Sequence, residues 1–220
     1  MSSRDRILEA AMAVFRRHGF RRSSIEETAE AAGLTRQALY HHFKSKEALF
    51  RAVIERVHDG ALADGAAAAE REETAGKPLA DIVVAQVAAR LQAFVASFDG
   101  SPHIEELFSE HLLQARDLYQ HYAALHDAQV AATIERVCRR QKLALAAGMT
   151  AAGLARYVEL GVTGIKSAYP SMRPADAFLR DAEAMMRTLI AGAVTPAKPR
   201  KPSPARRAVR PKAPKAGARK

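Results

Sequence analysis

Side chains with complementary hydrogen-bonding abilities fill the segment TRQALYH, residues 35 to 41. Arginine can donate two parallel hydrogen bonds to guanine, and a glutamine amide can both donate to and accept from adenine. Threonine, tyrosine and histidine can bind phosphate oxygens, which positions a protein on DNA without selecting a sequence. These residue types favour a surface for double-stranded DNA, on which Arg36 and Gln37 read bases while Thr35, Tyr40 and His41 contact phosphates.

Two more residues are expected to contact the phosphate backbone. Lys46 stands at the start of the following predicted helix, and Ser24 opens the preceding one. The first amide groups of a helix favour anions, so the start of this preceding helix is suited to a phosphate. The complete predicted DNA-binding set is Ser24, Thr35, Arg36, Gln37, Tyr40, His41 and Lys46.

The elements that must position these residues are short helices. Thr35 is a suitable N-cap for a helix of about two turns that ends near Phe43. Such a helix is marginal alone, so its neighbours must stabilise it. The preceding segment opens with the capping-box spacing Ser24-x-x-Glu27 and ends at Gly33. Two helices joined by a tight turn in this way predict a helix-turn-helix, whose second helix enters the major groove.

The stretch GFRRSSIEETAEAAGLTRQALYHHFKSKEALF resembles the DNA-binding domain of the TetR family of transcriptional regulators. The matching positions are Gly19-Phe20, Ser24, Ala32-Gly33-Leu34-Thr35, Leu39-Tyr40-His41-His42-Phe43 and Lys46-Glu47-Ala48-Leu49. The departure is Thr28, where the family usually has an aliphatic residue, although a threonine methyl group can still pack there. The resemblance covers residues 7 to 50.

The resemblance implies a homodimeric repressor that reads a near-palindromic operator and is released by a small-molecule effector. Three regions are predicted: a DNA-binding domain at 1–56, a helical effector-binding and dimerisation domain at 57–195, and a tail at 196–220 that is set apart by its composition. The last two helices would form the dimer interface, through Leu154, Tyr157, Val158, Gly161, Ile165, Phe178, Ala182, Met185 and Leu189. Small residues such as Gly164 and Ala168 would permit close approach. The alternative is that these stripes belong to the core of one subunit.

Composition predicts an all-α fold. Alanine and leucine are abundant and tryptophan is absent, which favours helix over sheet. A first helix is predicted over RDRILEAAMAVFRRHGF, and a fourth starts at Ser45. That fourth helix is expected to fray beyond Gly60 into a linker that ends near Pro78. Further helices are predicted at 79–98, from Ser101-Pro102 onward, and at 117–145, 150–168 and 174–193.

The helices after the linker are expected to enclose a pocket for a small apolar effector. Its predicted lining is Phe94, Phe98, Phe108, Leu112, Tyr119, Tyr122, Tyr157 and Val158. The alternative is that these side chains form plain core. His103, His111, His121 and His126 lack the i, i+4 spacing of a helical metal site and have no cysteine cluster nearby, so neither a metal site nor a cofactor is predicted.

The basic charge is concentrated at the C-terminal end. The chain has a formal net charge of +10, and residues 196 to 220 contain ten lysines and arginines and no acidic residue. The rest of the chain is neutral overall. The tail is rich in proline and is predicted to be disordered. It leaves two alternatives open: a solubilising extension, or a basic arm with which an architectural protein binds DNA non-specifically.

Other functional classes find little support in the sequence. It contains no phosphate-binding glycine loop, no metal-spaced cluster and no nucleophile motif, so an enzyme is not predicted. No uninterrupted apolar run approaches the roughly 18 residues that cross a bilayer, and the N-terminus lacks a secretory signal pattern. The single cysteine, Cys138, suits a reducing compartment. These features predict a cytoplasmic protein without a membrane partner.

Overall fold

The computed structural model describes residues 2–196, and within them the chain is almost entirely helical. The helices are α1 (Ser3–Arg22), α2 (Ile25–Ala31), α3 (Arg36–His42), α4 (Lys46–Thr74), α5 (Leu79–Phe98), α6 (Ile104–Gln114), α7 (Arg116–Gln141), α8 (Ala151–Ala168) and α9 (Ala175–Ala193). A short 3-10 helix (Pro170–Met172) and the strands β1 (Leu143–Leu145) and β2 (Val194–Pro196) complete the described part. The all-α prediction is confirmed. The disorder predicted for 196–220 falls, beyond Pro196, outside the described residues.

The first three helices share one core with the start of α4. The rings of Phe15, Phe20 and Phe50 meet with centroid separations of 4.8 to 5.9 Å. Leu39 of α3 is fully buried, so this core fixes the orientation of α3. Thr28, the departure from the family pattern, is also fully buried, and its hydroxyl donates to the Ser24 carbonyl at 3.1 Å. A buried threonine is tolerated because its polar atom is satisfied.

Helix α4 differs most from its prediction. It does not fray beyond Gly60 but continues to Thr74, so the predicted linker is wrong. The small side chains that suggested a linker are buried against α5, including Ala61 and Ala68. At Gly65 an added Cβ would lie 2.8 Å from the Gln86 carbonyl oxygen, which shows how closely the two backbones approach. Alanine is the strongest helix former, and close packing takes the place of bulky side chains here.

Two other helix ends differ from the sequence prediction. Helix α6 begins at Ile104, because the Ser101 hydroxyl donates to the Arg16 carbonyl at 2.7 Å and accepts from the His103 amide at 3.1 Å, capping a turn instead. Helix α7 ends at Gln141, because Lys142 takes a positive φ of 52° and the chain enters β1. Strand β1 pairs antiparallel with β2, a partner about 50 residues further along the chain, so local sequence does not reveal it.

Helix α5 is the central helix of the region after residue 74. Among the described residues it is the one helix whose length and apolar composition would also suit a membrane span. The sequence alone does not indicate a span here, because Asp81 and Arg90 interrupt the apolar run. It packs against α4, α7 and α9 and buries Gln86 and Arg90 within the protein, as a core helix does.

The predicted dimer stripes on α8 and α9 lie largely inside the subunit. Four of these residues are at most 1% exposed: Leu154, Val158, Phe178 and Ala182. They form core between α8 and α9 and their neighbours, so their assignment to a dimer surface is wrong. Helical spacing in the sequence identifies an apolar stripe, but it does not show whether a helix of the same subunit or of a partner subunit covers that stripe. The outward face of α8 instead presents Tyr157 and Leu160, which are 51% and 47% exposed.

Candidate functional site

The turn between α2 and α3 is a complete helix C-cap. Gly33 takes a φ of +66°, its N–H donates to the Glu30 carbonyl at 3.0 Å, and the Leu34 N–H donates to the Ala29 carbonyl at 2.9 Å. This pair of bonds is the Schellman motif, which satisfies carbonyls at the end of α2. The positive φ explains the glycine. The turn predicted at this position is therefore present, and it sets the direction in which α3 leaves α2.

Both predicted hydroxyl contacts also serve as helix caps. The Ser24 hydroxyl accepts from the Glu27 amide at 3.1 Å and donates to the Glu27 carboxylate at 3.0 Å. The Glu27 carboxylate also accepts from the Ser24 amide at 2.8 Å, and these hydrogen bonds lower the pKa of Glu27. The Thr35 hydroxyl accepts from the Ala38 amide at 3.2 Å. Ser24 and Thr35 thus hold α2 and α3 in place at the predicted surface.

The outer face of α3 brings together the residues expected to meet DNA. Arg36, Gln37 and His41 are exposed, and Tyr40 is half-buried beside them. The Arg36 Nε forms an ion pair with Glu26 Oε1 at 2.7 Å, and its guanidinium lies 5.4 Å from the centroid of the Tyr40 ring. Arg36 is therefore held on the surface by an ion pair and an aromatic contact, whereas Gln37 projects one position further along the helix.

Lys46 has a structural position that the sequence did not reveal. Its Nζ donates to the carbonyls of Arg21 and Ser23 at 3.2 and 3.1 Å, and it lies 4.6 Å from the Phe20 ring centroid. These contacts tie the start of α4 to the segment between α1 and α2. Lys44, an exposed lysine outside the predicted DNA-binding set, lies one residue after Phe43 at the end of α3 and donates to the Tyr40 carbonyl at 3.1 Å. Its position at the end of α3 is the feature of the sequence that could have predicted a contact with DNA.

A cavity of about 320 Å³ lies between α4, α5, α6, α7, α8 and the 3-10 segment. Its apolar lining comprises Leu91, Phe94, Phe108, Leu112 and Met172. Its polar lining comprises His58, Arg90, His111, Tyr119, Thr163, Lys166, Ser167, Tyr169 and Ser171. The volume falls within the range of about 300 to 1,000 Å³ that is usual for small-molecule sites.

The predicted pocket residues fall into three groups. Phe94, Phe108, Leu112 and Tyr119 line the cavity. Phe98 and Tyr122 stand outside this lining: Phe98 packs on Phe94 and Phe108 with centroids 5.4 Å apart, and Tyr122 stacks on His58 at 4.7 Å. Tyr157 is exposed and Val158 is fully buried in the core, so neither lines the cavity and both assignments are corrected. Helical spacing could not distinguish a cavity wall from core.

The cavity also has a polar wall, which the sequence does not predict. His58 and His111 are 3% and 4% exposed, and their Nε2 atoms lie 3.2 Å apart. Burial, with the neighbouring His111, lowers the pKa of His58 to about 3, and burial, with the charge of Lys166, lowers that of His111 to about 4. Both rings are thus neutral at physiological pH. Arg90 is the residue from which a polar wall could have been predicted, because an arginine within an apolar helix needs a polar partner when it is buried.

The partner of Arg90 is Glu159 on α8. The Arg90 Nη1 lies 3.9 Å from Glu159 Oε2, and the His126 Nδ1 lies 3.5 Å from the same oxygen. Burial acts to raise the pKa of Glu159, but His126, Lys166 and Arg90 together lower it to about 2. His126, Asp127 and Glu159 bring ligand atoms within 4.8 Å of one another and could hold a metal ion. The adjacent Arg90 guanidinium opposes a second cation at this position.

Helices α4 and α6 belong both to the cavity and to the contacts made with the first three helices. The Arg21 Nε at the end of α1 donates to Glu110 Oε1 of α6 at 3.0 Å, and the next residue, His111, lines the cavity. Arg51 of α4 forms a two-pronged ion pair with Asp117 at 2.7 and 2.6 Å. Short, charged contacts therefore join α1 to α6 and the first part of α4 to α7, and all three of α4, α6 and α7 line the cavity.

Comparison with known proteins agrees with this architecture. Residues 7–53 match the family of bacterial regulatory proteins known as the tetR family. The HTH-type transcriptional regulator UidR of Escherichia coli K12 is 41% identical over 61 residues, 28% of this chain and 31% of UidR. The regulator YerO of Bacillus subtilis is 33% identical over 91 residues, 41% of this chain and 31% of YerO.

Likeness to a solved structure extends over nearly the whole fold. The structure of SmeT, the repressor of the multidrug efflux pump SmeDEF of Stenotrophomonas maltophilia, aligns with a TM-score of 0.59, 22% identity, and coverage of 93% of this chain and 98% of that one. By contrast, the chain spans about a third of the length of the curated relatives it matches. Residues 7–53 therefore contain a helix-turn-helix of the tetR family of bacterial regulatory proteins, and the described residues share the fold of a solved repressor.

Proposed function

We propose that the protein is a homodimeric repressor that binds a near-palindromic operator in the cytoplasm and releases it when a small molecule fills the cavity. The observation that carries this proposal is the double role of α4. The helix starts at Lys46 beside α3 and reaches the cavity at His58. Twelve helical residues correspond to about 18 Å, so one rigid element links the two sites.

The DNA-binding part of the proposal assigns roles to the face of α3. Arg36 and Gln37 read base edges, and Tyr40, His41 and Lys44 contact phosphates, while Ser24, Thr35 and Lys46 position the two helices. In a two-fold dimer, the two copies of α3 would meet half-sites about 34 to 36 Å apart, one turn of DNA. Repression would follow from occlusion of a promoter.

The dimer part rests on the outward face of α8. Tyr157, Leu160, Gly164 and Ala168 are exposed and recur at helical spacing. An added Cβ on Gly164 would have no neighbour within 4 Å, so the backbone is open to close approach. Two large apolar side chains beside small residues favour a helix-to-helix interface.

The effector part requires that a ligand favour one arrangement of α4 and α6 over another. A difference of about 1–3 kcal/mol between the two arrangements would change operator affinity about 5- to 150-fold. Contacts to His58 on α4 and His111 on α6 would supply such a difference. SmeT, which shares the fold, is itself described as a repressor, which supports this direction of control.

Selection of DNA from a random library with the full chain, at near-physiological salt, tests the proposal. Recovery of a palindrome that survives deletion of residues 197 to 220 is the expected result. The rival function, an architectural protein that coats DNA, is favoured by the ten basic residues of the tail. Recovery of no motif, with binding abolished by the same deletion, would establish that rival instead.

A further inference from the structure

We infer that the ligand of the cavity is an amphipathic carboxylate, with its anionic group at Lys166 and Arg90 and an apolar body against Phe94 and Phe108. This inference rests on the proposed function, for which it names the class of effector. It revises the expectation of a purely apolar effector, which was drawn from the aromatic residues alone.

The charges around the cavity leave an excess positive charge inside the protein. Arg90 and Lys166 both line the cavity, and Arg90 is 6% exposed. The buried carboxylate that faces them is Glu159, whose oxygen lies 3.9 Å from the Arg90 guanidinium. The nearby Asp127 pairs with Arg156 at 3.9 Å. Two cations therefore share one carboxylate, and because Arg90 and Glu159 are both buried, an unbalanced charge beside them is costly and a bound anion is favoured.

Lys166 is the cation best placed to receive that anion. Its ammonium lies 5.9 Å from the Tyr119 ring centroid, and no ion pair within 4.0 Å joins it to a carboxylate of the described residues. Thr163 and Ser167 lie three residues before it and one after it on α8, and both line the same cavity. A carboxylate here would accept hydrogen bonds from an ammonium and from hydroxyl groups, which are strong when the acceptor is charged.

The pKa of Lys166 agrees with this assignment. Burial lowers the pKa of Lys166, and the charge of Glu159 acts in the opposite direction. A ligand carboxylate beside Lys166 would raise that pKa again, because an opposite charge stabilises the protonated amine. His58 and His111 are neutral at physiological pH and supply hydrogen-bonding groups without further charge.

The remainder of the cavity requires an apolar body. Leu91, Phe94, Phe108, Leu112 and Met172 form this part of the lining. The volume of about 320 Å³ is near the lower limit of small-molecule sites. A single aromatic system or a short alkyl chain carrying one carboxylate matches both the size and the division between polar and apolar walls.

Isothermal titration calorimetry with the full chain, in the absence of DNA, tests the inference with matched probes. The probes are 2-naphthoate and octanoate, their uncharged amides, and 2-naphthylmethylamine as the cation. We expect at least one carboxylate to bind about 10-fold or more tightly than its amide, and the amine to bind more weakly than both. Lys166→Met should reduce carboxylate affinity about 10-fold and leave amide affinity unchanged. Lys166→Arg should retain the preference, and the exposed control Lys77→Met should behave as wild type.

Lys166→Met is expected to fold, because methionine keeps the aliphatic stem and leaves Arg90 paired with Glu159. If it does not fold, the wild-type comparison of carboxylate with amide decides the question. The inference would be overturned if the amides bound as tightly as the carboxylates or more tightly, or if folded Lys166→Met kept the wild-type preference for carboxylate over amide. It would also be overturned if no probe bound at millimolar concentration. If a carboxylate binds but operator affinity does not change, the inference about the ligand holds and the proposed release by an effector is rejected. The failure of the inference can therefore be distinguished from the failure of the proposed function.

Discussion

The imidazole Nε2 atoms of His58 and His111 lie 3.2 Å apart and join α4 to α6 at the wall of the cavity. At this distance one ring donates and the other accepts, so the accepting ring must be neutral. Tyr122 stacks on His58 at 4.7 Å and donates its hydroxyl to Asp59 at 2.7 Å, which fixes the pair from the side of α7. The contact therefore lies where a ligand could alter the relation between the two helices that reach the DNA-binding domain.

This pair predicts a loss of stability in mild acid. The folded pKa values, about 3 and about 4, lie below the ordinary value of about 6.5, so the unfolded chain binds more protons between these limits. Above about pH 6.5 the two histidines are neutral in both the folded and the unfolded chain, so the free energy of unfolding does not decrease on their account. As the pH falls toward 4, the free energy of unfolding should decrease by up to about 1.4 kcal/mol per pH unit for each histidine.

Urea unfolding of His111→Gln across this pH range checks the origin of that loss. We expect a lower stability at neutral pH but a shallower decline in acid than in wild type. The exposed His121→Gln is the matched control and should keep the wild-type slope. A slope in His111→Gln equal to that of wild type would assign the acid sensitivity to other groups.

Gln37→Ala should relax the sequence preference of DNA binding. Loss of a paired contact to a base costs about 1–3 kcal/mol at the matching base pair and little at other positions. Lys44→Ala is the comparison, because loss of a phosphate contact should weaken binding to all sequences and reduce the salt slope by about 1. Fluorescence anisotropy with the selected operator and single-base variants measures both effects. An unchanged preference in Gln37→Ala and Arg36→Ala would reject base reading by α3.

Substitution of alanine for two glycines of α4 should change the stability of the protein in opposite directions. Gly65→Ala places a Cβ 2.8 Å from the Gln86 carbonyl oxygen, so α4 and α5 must separate, at a cost of about 1–3 kcal/mol. Gly60→Ala meets no atom within 4 Å and should stabilise the helix by up to about 1 kcal/mol. Thermal unfolding compares them. Similar effects at both positions would mean that the two helices do not approach as closely as described.

Leu160→Glu should convert the proposed dimer into monomers. A carboxylate at the centre of an apolar helix face would be buried without a partner, while the isolated subunit would tolerate it because Leu160 is 47% exposed. Leu125→Glu on α7, at a residue 41% exposed, is the control. Light scattering coupled to gel filtration gives the mass. A Leu160→Glu dimer, or a monomer produced by the control instead, would place the interface elsewhere.

The sequence predicts structure best where the stabilising contacts join residues that are close together in the chain. The capping box at Ser24, the turn at Gly33 and the short α3 follow from hydrogen bonds within a few residues, and all of them are present in the structure. Beyond Gly60 the decisive contacts join distant segments. The alanine-rich half of α4 is helical because α5 covers it, and the strand after Lys142 exists because residues 194–196 pair with it.

Helix period and capping are encoded in neighbouring residues, so the all-α fold, the helix-turn-helix and the exposed group that includes Arg36 and Gln37 could be predicted from the sequence. The folded arrangement was needed to show which apolar stripes are core, that Lys46 bridges backbone carbonyls, and that Arg90 and Lys166 face one cavity. These features depend on packing between helices far apart in the chain. A single helix shows which face is apolar or charged, but the neighbour that meets that face determines its role.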